Sequence, residues 1–419
     1  MTVFPNRLRF HSDSQVLYVL GLMTPIVASI APLQISTVAV LAALAVLLRR
    51  LAAGHIWLPL NVTKLSGVLL ALVLWGAITT IWSIDYLLGI GTASRLLLAS
   101  LTLLILLDAV SELDAESQKQ LYIWLSLGAA IGITLTLVSV FYIYIDTVWF
   151  QQKEMAEHEL SAFNRTASIL AMLTWPWALA IYRSRGLITA IAFLLVAATT
   201  IYLLAPLTPF IAFGLGCCAF VLGFKRVRLA TSCLLAGFAL CIIVIPFLPN
   251  LLPWLIEVTS AHLDNPINLI HRFAIWQFAS EHIMARPIMG WGIDSARVFP
   301  GGNIEIVLFE APSGHAIMGP ALPLHTHNAI IQIWLEMGVG GVLLITTLFS
   351  LIIKSIRDSD INQPGSAISI AVITSGLTIS QLGFGFWQGW WLATLGITAI
   401  LTTASVRQCS PPEQKVRDH

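Results

Sequence analysis

The residues His327-Asn328, then nine residues and Gly338-Val339-Gly340-Gly341, lie where a polar stretch runs into an apolar helix. A neutral imidazole accepts a proton near pH 7, so a histidine here suits a general base acting on a hydroxyl group. The alternative is a helix cap, in which a side chain accepts hydrogen bonds from free backbone N–H groups. Asn328 suits that capping role, and Gly338 and Gly341 suit close packing of the helix that follows His327.

His325 and His327 are two residues apart, with Thr326 between them. In an extended segment, both histidines point to the same side. Such a pair supplies half of a metal site, but no cysteine and no clear carboxylate pair lies nearby in the sequence. We therefore expect His325 to support His327, and we predict neither a metal nor a cofactor.

Three arginines are candidate phosphate ligands, because the planar guanidinium fork matches phosphate oxygens. Arg272 lies one helical turn before Trp276, Arg165 follows Asn164 at the end of one apolar run, and Arg95 lies just inside another. For Arg95 and Arg165 in particular, the alternative is snorkelling to lipid headgroups or pairing with an acid.

The composition is that of a membrane protein, with 419 residues of which 57% are hydrophobic and 10% charged, whereas soluble domains carry about 25% charged residues. Apolar runs of about twenty residues span a bilayer as helices, and we count about twelve of them. They centre on 16–31, 34–48, 65–82, 90–107, 121–145, 163–182, 187–204, 207–223, 229–248, 328–353, 367–383 and 388–405. The prediction is an all-α polytopic membrane bundle, and a net charge of +1 argues against nucleic-acid partners.

The basic residues predict the orientation, because loops on the cytoplasmic side are enriched in lysine and arginine. With a cytoplasmic N-terminus, most of the 22 basic residues fall inside and the C-terminus does too. The predicted divisions are helices 1–9 in 1–248, a large outer loop in 249–327, helices 10–12 in 328–405 and a tail in 406–419. Within the loop, Asp264-Asn265-Pro266 and an apolar stripe from Ile267 to Phe278 predict a helix that Arg286-Pro287 ends.

Two further features lie in apolar surroundings. The run Trp387-Gln388-Gly389-Trp390-Trp391 is typical of anchors at the membrane interface. Glu336, an acid within an apolar helix, is predicted to pair with a polar partner.

These residues resemble the O-antigen ligase and polymerase superfamily of bacterial inner membranes. The pattern from His327-Asn328 to Gly338 and Gly341 is similar to the ligase signature at the end of its large periplasmic loop. The family has a block of Arg, Trp, Pro and Gly residues in its loop, and here it is similar to Arg272, Trp276, Pro287, Gly290 and Gly292. The stretch Trp82-Ser83-Ile84-Asp85 is similar to a turn that recurs in the family.

The resemblance implies a glycosyltransferase that moves a glycan from undecaprenyl diphosphate to a lipid A-core sugar hydroxyl, at the periplasmic face of the inner membrane. It implies inverting transfer without a metal, with His327 as the base and Arg272 as the diphosphate ligand. The implied partners are the lipid-linked donor, a lipid A-core or lipid-linked acceptor, and membrane lipids.

The sequence departs from the ligase pattern at one position. Ligases carry another arginine at the start of the second-last membrane span before the loop. The stretch here reads Leu207-Thr208-Pro209-Phe210, which leaves Arg165 and Arg95 as candidate replacements. An O-antigen or exopolysaccharide polymerase, which uses a second lipid-linked glycan as acceptor, is therefore the alternative. A lipid or polysaccharide transporter is a third interpretation, although transporters tend to show paired repeats and polar sites at mid-membrane.

Overall fold

Long helices make up most of the protein in the computed structural model, which describes residues 11–54, 63–150, 153–204, 206–262, 267–310, 316–358 and 363–407. The helices are α1 His11–Ile30, α2 Ile35–Ala52, α3 Lys64–Thr79, α4 Tyr86–Ser111, α5 Ala115–Phe150, α6 Lys153–Arg185, α7 Leu187–Leu203, α8 Leu207–Lys225, α9 Val227–Val244, α10 Leu248–His262, α11 Ile267–Ala285, α12 Ala329–Asp358, α13 Gln363–Leu382 and α14 Gly389–Val406.

The predicted membrane bundle is confirmed, and each predicted span falls on a helix. Within the described residues, ten helical segments are long and apolar enough to cross a bilayer. The predicted spans 163–182 and 187–204 lie on α6 and α7, and α7 is apolar but only 17 residues long. The chain is therefore a multi-pass membrane protein.

The centre of the largest buried cluster is the second half of α6, where Trp175 and Trp177 are fully enclosed. Around it, α1 and α5 approach closely because α5 has small residues at the contact. A side chain at Gly128 or Gly132 would meet the backbone of Leu22 or Pro25 in α1. Small residues of this kind let membrane helices pack backbone to backbone.

The region predicted as an outer loop is ordered around two helices and a hairpin. The predicted boundary at residue 248 lies where a 3-10 turn, Ile245–Phe247, passes directly into α10, so helix continues into the loop region. The predicted loop helix is confirmed as α11, although the proposed cap at 264–266 lies outside the described residues. The unpredicted element is an antiparallel hairpin of β1 Glu305–Glu310 and β2 Ala316–Pro320.

The loop docks onto the turn between α3 and α4. In that turn Asp85 caps α4, because its Oδ1 accepts hydrogen bonds from the amides of Leu87 and Leu88 at 3.0 and 3.1 Å. Ser83 donates from Oγ to the carbonyl oxygen of Ile293 at 3.3 Å, and a side chain at Gly292 would overlap Ser83. The turn and the loop therefore form one surface at the same end of the bundle.

Candidate active site

His327 is held in one orientation just before α12 begins. Its backbone is left-handed, with φ of 52°, and its Nδ1 lies 2.6 Å from the carbonyl oxygen of Gly383. A carbonyl oxygen only accepts hydrogen bonds, so Nδ1 carries the proton in this contact. In the neutral ring the free lone pair is then on Nε2, which is the atom available to take up a proton.

Several groups set the protonation of this ring. Burial lowers the pKa of His327, the hydrogen bond to Gly383 opposes that shift, and the charges of Arg272 and His271 lower the pKa further. With a pKa below the ordinary value of about 6.5, the ring is neutral near pH 7. It is therefore in the form that a general base requires.

His325 lies beside His327, with ring centroids 4.2 Å apart, as predicted, although the backbone bends and is left-handed at His327 rather than extended. Burial, followed by the charges of His327 and Arg297, lowers the pKa of His325 to about 3, so this ring stays neutral. Thr326 between them is fully buried, and its carbonyl oxygen accepts a hydrogen bond from Trp276 Nε1 at 2.9 Å. In the described part of the chain, no group of three or more His, Cys, Asp or Glu side chains is placed to hold a metal ion.

Asn328 caps α12, as its side chain predicts. Its Oδ1 accepts a hydrogen bond from the amide of Ile331 at 3.0 Å, and the Thr326 hydroxyl donates to its carbonyl oxygen at 2.7 Å. The cap therefore belongs to Asn328, while the His327 ring binds Gly383 instead.

Replacing Asn328 with alanine is expected to destabilise the outer end of α12 by about 1 kcal/mol, because an N-cap side chain is lost. The measurement is the thermal unfolding of the purified protein in detergent. Asn328→Asp is the matched control, since aspartate also caps helices and should retain most of the stability. An alanine variant as stable as the aspartate variant would contradict the capping role.

Arg272 faces the histidines from α11. Residues four apart lie on the same side of a helix, so Arg272 shares a face with Trp276, whose indole binds Thr326. Within the described residues, Arg272 makes no hydrogen bond or ion pair with another side chain, and burial lowers its pKa. A partly buried cation with no counter-ion is costly and favours an anionic ligand.

The other two predicted arginines are placed differently. Arg95 on α4 is exposed and donates from Nη1 to the carbonyl oxygen of Trp387 at 3.1 Å. Arg165 is partly buried on α6. Among the described residues, neither has a hydrogen bond or ion pair with Arg272 or His327. Of the three predicted arginines, only Arg272 exerts its charge on His327.

The connection between α13 and α14, residues 383–388, completes the surroundings of the histidines. Gly383 binds His327, a side chain at Gly385 would press on His325, and the amide of Phe386 donates to Gln332 Oε1 at 2.8 Å. The expectation that the adjoining tryptophans are interfacial anchors is wrong. Trp387, Trp390 and Trp391 are at most 4% exposed, because they pack inside the bundle.

Glu336 is fully buried, and its predicted polar partners are present. It accepts hydrogen bonds from the amide of Asp294 at 2.8 Å, from Gln332 Nε2 at 3.1 Å and from Trp387 Nε1. One carboxylate thus joins the loop, α12 and the 383–388 connection.

Gly338 breaks α12 where the loop crosses it, with φ of 61° and ψ of −160°. The carbonyl oxygens of Leu335 and Glu336 accept from the amides of Trp291 and Gly292 at 2.9 and 2.8 Å, outside the helix's own ladder. In return, the amide of Val339 donates to the carbonyl oxygen of Pro287 at 2.9 Å.

The glycines at this crossing have distinct roles. A Cβ at Gly338 would overlap the carbonyl group of Ile288, so backbone lies against backbone there. Gly341 instead faces Met337 and Ile333, one and two turns earlier in its own helix. Gly338 therefore makes a kink that receives the loop, while Gly340 lets the ring of Trp75 in α3 pack closely against α12.

Comparison with known proteins finds similarity over part of this chain. Residues 191–346 match the family model described as O-antigen ligase. The chain is 30% identical over 138 residues to a Rickettsia conorii protein, covering 33% of this chain and 32% of the relative. It is 25% identical over 261 residues to a Rickettsia typhi protein and 24% identical over 260 residues to one from Rickettsia prowazekii, each covering 61% of this chain and 62% of the relative.

All three relatives are named "putative polysaccharide ligase". The aligned region spans less than two thirds of the length of each of them. Over residues 191–346 the chain is therefore similar to the O-antigen ligase family.

The region that matches the O-antigen ligase model contains the loop, Arg272, both histidines and the kink of α12. Arg95, Arg165 and the 383–388 connection lie outside it. The sequence did contain a signal for that connection, because Gly383 and Gly385 interrupt two apolar runs, but only the fold shows that it closes on His327.

Proposed function

We propose that this protein is a member of the O-antigen ligase superfamily and a glycosyltransferase that moves a glycan from undecaprenyl diphosphate to a sugar hydroxyl of the lipid A core. The observation that carries the proposal is the free Nε2 of neutral His327, placed beside a partly buried guanidinium without a described counter-ion. A base and an unpaired cation are the two groups that transfer from a diphosphate leaving group requires.

In the proposed reaction, His327 Nε2 takes the proton of the acceptor hydroxyl as its oxygen attacks the anomeric carbon. The bond between that carbon and the phosphate oxygen breaks, and undecaprenyl diphosphate leaves with the bonding electrons. Arg272 stabilises the negative charge that grows on the leaving group. A single displacement of this kind inverts the anomeric configuration, and it uses no metal ion and no cofactor.

The same proposal places the site at the periplasmic face of the inner membrane, with both termini in the cytoplasm. The distribution of basic residues supports this orientation, as does the gathering of the loop, the α3–α4 turn and the α13–α14 connection at one end of the bundle.

The test is a reaction of purified protein with undecaprenyl-diphosphate-linked glycan in EDTA. One arm contains lipid A-core and the other only more lipid-linked glycan. We expect a lipid A-core product of inverted anomeric configuration. Longer lipid-linked glycans instead would make the protein a polymerase, and movement of the donor across vesicles without a new bond would make it a transporter.

The pH dependence of kcat/KM provides a separate prediction. Since the pKa of His327 is lowered, activity should persist as pH falls to about 6.5 and decline only below it. Removing the positive charge in Arg272→Gln should raise the His327 pKa and move this acid limb to higher pH. The measurement is the dependence of kcat/KM on pH between about pH 5 and 8 for both proteins. If activity declines at the same pH in both, the charge of Arg272 does not lower the pKa of His327.

A further inference from the structure

Arg297 is an arginine of the loop that the sequence patterns did not select as a ligand. It lies in the short 3-10 turn Ser295–Val298, and its Nε is 3.6 Å from Asp294 Oδ1. The arginine side chain is 35% exposed, while that of Asp294 is only 5% exposed. Among the described residues, Nη1 and Nη2 of Arg297 have no hydrogen-bond partner, so the end of the guanidinium is free for a ligand.

The partner of Arg297 is itself fixed from two helices. Asp294 adopts a left-handed backbone with φ of 61°, and Thr92 of α4 donates to its Oδ2 at 2.7 Å. Its amide donates to Glu336 of α12 at 2.8 Å. Asp294, which orients Arg297, is therefore anchored through its carboxylate to α4 and through its amide to α12, the helix that begins beside His327.

Arg297 also lies near the histidines. The turn that follows it is tied to the segment leading into His325, because the amide of Leu322 donates to the carbonyl oxygen of Gly302 at 2.8 Å. The charge of Arg297 acts on the His325 ring, whose centroid is 4.2 Å from that of His327. Arg272 thus approaches the histidine pair from α11, and Arg297 approaches it from the 3-10 turn.

We propose that Arg297 is the second guanidinium of the site and binds one phosphate of the diphosphate donor while Arg272 binds the other. This inference rests on the proposed function. A diphosphate has two phosphate groups, and each matches the fork of one arginine. Arg95 is the poorer candidate, since its Nη1 is already bound to the carbonyl oxygen of Trp387.

If Arg297 binds one of the two phosphates, its contribution to ligand affinity should depend on the presence of the second phosphate. Asp294 holds Nε, so the two terminal nitrogens can face the leaving group, where their charge offsets the negative charge that develops on bond breaking. A ligand with one phosphate gives Arg297 nothing to bind. Loss of Arg297 should therefore weaken diphosphate binding and leave monophosphate binding unchanged.

The experiment measures binding of farnesyl diphosphate and farnesyl monophosphate to the purified full-length protein and to Arg297→Gln. We expect the wild type to prefer the diphosphate and the variant to bind the diphosphate about 10- to 100-fold more weakly, with unchanged monophosphate affinity. Arg286→Gln is the matched control, since this loop arginine is exposed and stacks over Trp291, 4.0 Å from the ring centroid. It should retain the wild-type preference.

The outcomes separate the two proposals. If the wild type prefers the diphosphate and Arg297→Gln keeps that preference in full, Arg297 is not a phosphate ligand and the proposed function stands. If both affinities fall together, Arg297 supports the fold rather than the second phosphate. If the wild type shows no preference for the diphosphate, the donor assignment is wrong, and the role of Arg297 is overturned with it.

Discussion

His327→Asn should reduce glycan transfer by about 10²–10⁴-fold, the range for losing a positioned general base. Asparagine keeps what the structure requires of this position. It tolerates the left-handed backbone better than most residues, and its amide nitrogen can donate to the carbonyl oxygen of Gly383. What it lacks is the basic nitrogen that corresponds to Nε2.

The measurement pairs initial rates of transfer with thermal unfolding of the purified variant in detergent. Rates should collapse while the unfolding temperature stays near that of the wild type. His327→Ala loses both the hydrogen bond to Gly383 and the base. The difference in unfolding temperature between the alanine and asparagine variants therefore measures how much that hydrogen bond stabilises the protein. Wild-type rates from well-folded His327→Asn would remove His327 from the reaction.

Gly338→Ala should prevent α12 and the loop from joining correctly, with a loss of several-fold or more in the yield of folded protein. Its φ of 61° and ψ of −160° lie in a region that is almost restricted to glycine, where strain costs about 1–3 kcal/mol. A Cβ would also overlap the carbonyl group of Ile288, and neither backbone segment can move without losing the hydrogen bonds between them.

Gly237→Ala in α9 is the matched control, because a Cβ there meets nothing within 4 Å. Alanine is favoured over glycine within a helix by about 1 kcal/mol, so this variant should be as stable as the wild type or slightly more stable. Folded yield and unfolding temperature in detergent are the readouts. Equal behaviour of the two variants would show that the kink is not needed.

The sequence predicts the helices better than it predicts the β-hairpin of the loop. Hydropathy alone places α1 to α9 and α12 to α14, because a twenty-residue apolar run has few other uses. The apolar stripe from Ile267 to Phe278 likewise predicts α11. The hairpin is harder to recognise, since Ile306 to Phe309 is a continuous apolar run with a register shift between Val307 and Phe309 rather than an alternating pattern.

The positions of the candidate site residues were predictable where they are close in the sequence, and were not predictable where they depend on contacts with distant backbone. The spacing of His325 and His327 predicted that their rings lie together, but the left-handed backbone at His327 was not predicted. The contact of His327 with Gly383 crosses 56 residues, and hydropathy cannot show which side of Trp387 faces protein rather than lipid. The placement of Arg297 is not evident from the sequence for the same reason, because it depends on Asp294, Thr92 and Glu336 from three elements.

The crossing of the loop and α12 has a consequence for biogenesis. The carbonyl oxygens of Leu335 and Glu336 accept hydrogen bonds from a loop segment that precedes them by more than forty residues. Within a bilayer, no water is present to replace these hydrogen bonds. During assembly, the kink of α12 therefore gains its hydrogen bonds only when the loop segment folds against it. Folding of the loop and bending of α12 are thus one cooperative step, because each segment supplies the hydrogen bonds that the other needs.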